Sequence, residues 1–164
     1  MNDIYDLFEE RIKHKTKIIK ELNSNICFSY NDLKNAIYYL DHIKTTPISL
    51  ITNTSAKSYL LSIASIFSHQ KITLISDQLG KEAIRKITFK DNLIINPDNF
   101  DFKSPDIKTI SYSSIIFSLK DENFKFNRNQ CDNYQTIFLS SGSTGKPKRI
   151  PLKLKYFNFC SKSV

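Results

Sequence analysis

Residues 47–76 read PISLITNTSAKSYLLSIASIFSHQKITLIS, a β-prone run, a helical stripe and a second β-prone run in succession. Pro47 opens Ile48-Ser49-Leu50-Ile51, apolar and short enough for a buried strand. Leu60, Ile63, Ala64 and Phe67 then fall at helical spacing, and Lys71 to Ser76 returns to strand character. Such a succession predicts a crossover unit with parallel strands.

The pattern extends in both directions. Upstream, Ser29 followed by Asp32 has the form of an N-terminal capping pair, and Leu33, Ala36, Ile37 and Leu40 predict the helix that follows. Lys17 to Leu22 and Ile26 to Tyr30 flank the turn-rich Asn23-Ser24-Asn25 and read as a hairpin, preceded by an amphipathic helix over residues 3–13. Downstream, a helix is expected over 81–87 and strands over 93–96 and 106–111, with 96–105 a connecting loop and 121–133 polar and exposed. The fold class is therefore α/β, a largely parallel sheet with crossover helices, without repeats or an internal linker.

Composition narrows the function. The 164 residues are 40% hydrophobic and 24% charged, which suits a folded domain and not a disordered chain. The longest nearly apolar run, Tyr59 to Phe67, is far short of the roughly 20 residues of a membrane span. Asp3, Asp6, Glu9 and Glu10 stand where a secretory signal would be basic and then apolar, so a cytoplasmic protein is expected. Cys27, Cys131 and Cys160 are odd in number and widely spaced, which supports neither a disulfide framework nor a zinc site. His14, His42 and His69 fall at helix ends or on polar faces and read as surface residues, not as catalytic or metal-binding ones, whereas the Phe and Tyr residues read as core.

The net charge of +8 is concentrated late: no Asp or Glu follows Asp132, while Lys146, Lys148, Arg149, Lys153, Lys155 and Lys162 do. Lysine dominates over arginine, which argues against base-specific nucleic-acid recognition. In this basic region the apolar run 134–139 leads into Ser140-Ser141-Gly142-Ser143-Thr144-Gly145-Lys146-Pro147-Lys148. Two of the chain's three glycines lie here. Glycines let backbone N–H groups converge on an anion, hydroxyls add donors, and lysines supply charge, so the segment is suited to phosphate. A Walker A loop is excluded, because Ser140 stands where its first glycine belongs and Pro147 where Ser or Thr must ligate magnesium. A dinucleotide fingerprint fails for want of a third glycine and a following helix, since the chain runs on toward another extended segment.

The segment resembles the phosphate-binding signature of the adenylate-forming (AMP-binding) superfamily, [YF]-T-S-G-[ST]-T-G-x-P-K, which Ser141 to Lys148 match, with Ser140 at the preceding Thr position. Phe28 to Leu33, Pro47 to Phe67 and Lys71 to Asp77 are similar to upstream segments of that family. The chain departs from it after Lys148, where Arg149 replaces a common glycine and the later histidine is missing. The resemblance implies an ATP-dependent ligase that joins a carboxylic acid to AMP with release of pyrophosphate, then transfers the acyl group to the thiol of coenzyme A or a carrier protein.

It further implies that Ser140, Ser141, Gly142, Ser143, Thr144, Gly145 and Lys148 hold the ATP phosphates, with Lys148 in the catalytic role of offsetting charge on pyrophosphate. Mg2+ ligands are expected mostly outside the chain. Residues 1–164 are then expected to be a partial N-terminal adenylation domain, inactive alone, with ATP and a carboxylic acid as ligands and neither nucleic acid nor a membrane span. The alternative from another class is a non-catalytic nucleotide- or phosphate-binding module, or the docking half of a split enzyme.

Overall fold

The computed structural model describes residues 10–11, 17–22, 24–88, 90–103, 105–116, 135–140 and 147–153. Residues 10–11 are helical, and the remainder of the expected first helix, like the polar stretch 121–133, lies outside the described residues. Strands β1 (Lys17–Lys20) and β2 (Cys27–Ser29) pair antiparallel, as the turn-rich triplet between them predicts. Ser29 then caps helix α1 (Tyr30–Asp41): its Oγ accepts the Asp32 N–H at 3.3 Å, and Asp32 Oδ2 accepts the Ser29 N–H at 2.7 Å. Two of the helix's orphan donors are satisfied by one short pair of side chains.

The main sheet is built from β3 (Ile48–Thr52), β4 (Ile72–Ser76), β5 (Leu93–Asn96), β6 (Lys108–Ser111), β7 (Gln135–Ser140) and β8 (Lys148–Lys153). Its order is β6-β5-β3-β4-β7-β8, parallel throughout except for the antiparallel β8. Helix α2 (Ala56–Phe67) connects β3 to β4 and α3 (Lys81–Thr88) connects β4 to β5. The predicted largely parallel α/β sheet is thus the one observed.

Alternation along the strands divides the core in two. Ile48, Leu50, Ile72, Leu74, Leu93 and Ile95 pack with α1 and α2, whereas Ile51, Ile75 and Ile94 pack with Ile84 of α3 and with Phe102. Each of these side chains is almost fully removed from water, worth about 1.5–3 kcal/mol apiece. Helix α4 (Tyr112–Ile116) has no counterpart in the sequence reading, since YSSII has no helical stripe long enough to read. Burial of Tyr112 and Ile115, three positions apart, fixes it as a helical turn. Tyr59 departs from expectation, being 56% exposed where an aromatic was expected in the core.

The turn between α3 and β5 carries one buried acid. Asp91 accepts a hydrogen bond from Ser49 Oγ on Oδ2, while Oδ1 has no partner among the described residues. Burial pushes its carboxyl above the usual range, against the opposing pull of Ser49 and of the Arg149 charge. The folded state therefore holds the proton more firmly than the unfolded chain, so stability falls as pH rises from the ordinary carboxylate range through the raised value, and is level above it. Asp91→Asn is expected to flatten this fall and to raise stability near pH 7 by about 1 kcal/mol, read as thermal midpoints between pH 4 and 7.

Candidate functional site

In open α/β sheets ligands are received at the carboxyl ends of the parallel strands. Here those ends are Thr52 of β3, Ser76 of β4 and Ser140 of β7, with β7 beside β4. β8 returns alongside β7 in a register that sets Lys148 opposite Ser140 and Arg149 opposite Leu139. Of the residues predicted to bind phosphate, Ser140 and Lys148 are thus brought together as the two posts of one connection. Ser141, Gly142, Ser143, Thr144 and Gly145 lie outside the described residues. Lys148 is exposed. Arg149 Nη2 donates to the Ile87 carbonyl at 3.0 Å, which fastens the start of β8 to the last turn of α3.

Two cavities flank the β7–β8 pair. On the α2 side, about 430 Å³ is bounded by uncharged polar groups of Thr52, Asn53, Ser58, Ser62 and Ser76 over Leu74 and Phe138. Exposed Tyr59 stands at its edge. A larger cavity of about 1050 Å³ lies on the α3 side, and Leu79, Leu139 and Pro147 border both.

The floor beneath the strand ends is held by side chains that sequence spacing did not connect. The Tyr112 hydroxyl donates to the Ile51 carbonyl and lies 3.2 Å from Ser58 Oγ, which itself accepts the Asn53 N–H at 2.9 Å. Burial keeps the Tyr112 phenol protonated well beyond its ordinary range. Lys57, in the first turn of α2, reaches Asp98 Oδ2 at 2.6 Å and Ser113 Oγ at 2.9 Å, so it bridges the ends of β3 and β5. Partial burial works to raise the Asp98 carboxyl, but the hydrogen bonds from Lys57 and from Ser113 outweigh it and leave it below the usual range.

The histidine reading needs one correction. His69 Nδ1 lies 2.9 Å from Asp41 Oδ2 and its backbone N–H donates to Asp41 Oδ1 at 2.5 Å, so His69 is a largely buried, paired residue. The partner is remote in sequence and close only because α1 and α2 pack side by side. His42 behaves as expected at a helix end, its ring tilted by 38° against Tyr38 with centroids 4.0 Å apart. Among the described residues no three His, Cys, Asp or Glu side chains gather as a metal site, Cys27 is a free thiol, and no helix is long and apolar enough to cross a membrane.

No protein-family model matches the chain, and no curated protein sequence does. Solved structures do. The N-terminal subdomain of Klebsiella oxytoca NpsA in complex with 3-hydroxybenzoyl-AMSN is 15% identical, with a TM-score of 0.70 over 96% of this chain and 42% of that one. The O-succinylbenzoate coenzyme A synthetase MenE of Bacillus subtilis, in complex with AMP, is 14% identical, with a TM-score of 0.68 over 99% of this chain and 46% of that one. The luciferase-like enzyme of the mealworm Zophobas morio gives 16% identity and a TM-score of 0.64 over 93% of this chain and 42% of that one. The chain spans less than half the length of each of these proteins. With its mostly parallel sheet and the Ser140–Lys148 connection at the end of β7, the chain has the fold of the N-terminal subdomain of adenylate-forming enzymes.

Proposed function

We propose that the chain binds the polyphosphate of ATP at the Ser140–Lys148 connection, as the nucleotide-binding N-terminal part of a ligase that activates a carboxylic acid as its acyl-adenylate. The observation that carries this reading is the register that sets Ser140 and Lys148 at the mouth of a strand-to-strand connection, at the ligand-receiving end of the sheet. Support comes from the fold neighbours, one of which is described with AMP and one with 3-hydroxybenzoyl-AMSN.

In this reading the hydroxyls and amides of Ser141, Ser143 and Thr144 donate to the phosphates, and Gly142 and Gly145 permit the backbone to approach. Lys148 offsets the charge that develops as pyrophosphate leaves. Mg2+ would supply further charge neutralisation, with most of its ligands outside the chain. Such chemistry rests on positioning and charge neutralisation rather than on a protein nucleophile. Transfer of the activated acyl group to a coenzyme A or carrier-protein thiol would follow.

Calorimetric titration of the 164-residue chain with ATP tests the binding. Lys148→Ala is expected to weaken it by about 10-fold or more and Ser143→Ala by about 5-fold. Unchanged affinity in both variants would refute the assignment. ATP–pyrophosphate exchange over a panel of carboxylic acids separates the two classes: binding without exchange identifies a non-catalytic module or a half that needs its complement.

A further inference from the structure

Lys148 and Arg149 stand side by side at the start of β8, and successive side chains of a strand point to opposite faces of a sheet. Arg149 lies opposite Leu139, which packs with Ile51, Ile75 and Ile84 on the α3 face. Its guanidinium reaches the Ile87 carbonyl at 3.0 Å. That carbonyl belongs to the last turn of α3, where backbone acceptors have no partner within the helix and a cation is favoured by the helix dipole. β8 is an edge strand of the described sheet, laddered to β7, so this bond ties it to a second element.

Asp91 adds a further hold. Its carboxylate accepts from Ser49 Oγ of β3, its Oδ1 has no hydrogen-bond partner among the described residues, and the Arg149 charge acts on it from β8. Burial makes an ionised carboxylate costly, and an opposite charge nearby offsets that cost. Arg149 is thus drawn to the α3 side by a carbonyl and by a carboxylate, and alternation turns Lys148 to the other face, across from Ser140. Without that hold the ladder to β7 would persist, but its end pair, Ser140 with Lys148, would be the first to fray.

We propose that Arg149 is a positioning residue of the phosphate connection: held by the Ile87 carbonyl and by the charge of Asp91, it sets where Lys148 stands and so tunes the affinity for ATP. The inference rests on the ATP reading above. Arg149 is also where the chain departs from the signature it resembles, and the glycine common there could make neither contact.

Calorimetric titration of the 164-residue chain with ATP near neutral pH tests it. Arg149→Ala should weaken binding by about 5-fold, and Arg149→Lys should recover most of that loss, because a single carbonyl asks for a charged donor and not for a fork. Asp91→Asn should weaken binding by about 2-fold or more while raising the thermal midpoint, so that affinity and stability move in opposite directions. The double variant of Asp91→Asn with Arg149→Ala should bind as Arg149→Ala alone, since Asp91 acts through Arg149. Lys86→Ala, which removes an exposed charge beside Ile87 and leaves the bond in place, should bind as the wild type. Affinity that falls in Lys148→Ala but stands in Arg149→Ala would overturn the proposal and leave the ATP reading intact. A wild-type chain that does not bind ATP, or binds it without dependence on Lys148, would remove both. Unchanged affinity in Asp91→Asn, additive losses in the double variant, no rescue by lysine, or an equal loss in Lys86→Ala would each overturn the proposal. So would a salt dependence of binding that becomes shallower in Arg149→Ala, which would set Arg149 against the phosphates themselves.

Discussion

Tyr112→Ala should lower the stability of the chain by about 3–5 kcal/mol, read as a fall in the urea midpoint at unchanged slope. The ring is 1% exposed and belongs to the larger of the two core clusters, so its removal leaves a void that α4 and the sheet can close only in part. The hydroxyl adds a separable contribution through the Ile51 carbonyl and Ser58. Tyr112→Phe keeps the ring and should cost about 1 kcal/mol. Should the two variants lose the same amount, the hydroxyl contacts and not the packing would account for the residue.

Asp41→Ala should be the next most damaging change, at about 2–4 kcal/mol. Asp41 receives both the backbone N–H and the ring of His69, and its carbonyl receives Gln70 Nε2 at 3.4 Å, so one acid ties the end of α1 to the end of α2. Removing the carboxylate leaves the His69 N–H buried without its acceptor. Asp41→Asn retains an acceptor oxygen and should cost clearly less. Burial raises the Asp41 carboxyl above its usual range despite the bonds and charge of His69 and the charge of His42. The folded chain thus binds that proton more firmly, and stability contributed at acid pH declines as pH rises from the ordinary carboxylate range through the raised value. Thermal midpoints measured across that window should decline less steeply in Asp41→Asn. An identical slope would assign the pH dependence to Asp91 or to other acids.

How much of this was legible in the chain follows the range of the interactions. The Ser29–Asp32 cap, the strand at 48–52, the stripe on α2 and the strand at 72–76 are local patterns, and each stands where its residues predict. Helix α4 was not legible, because its conformation comes from burying Tyr112 and Ile115 against α1 and α2 and not from propensity. The Asp41–His69 and Lys57–Asp98 pairs join residues far apart in sequence, so no spacing rule points to them. At the candidate site the residue types announced phosphate chemistry, but the opposition of Ser140 and Lys148 required knowing that β8 folds back antiparallel. The tie from Arg149 to the Ile87 carbonyl was invisible too, since the two meet only once α3 is docked.

The register of β7 also has a kinetic meaning. Ile48 pairs with Ile72, Ile48 with Leu93 and Leu93 with Lys108, whereas Thr136 must find Ile72 across a much longer stretch of chain. Closing that loop costs the most chain entropy of any parallel pairing in the sheet, so β7 should join a sheet whose shorter-range pairs have already formed. The Ser140–Lys148 connection hangs on that last strand. A chain that can grip a ligand there has, by that fact, completed its longest-range pairing, and ligand binding at this edge becomes a readout of finished assembly.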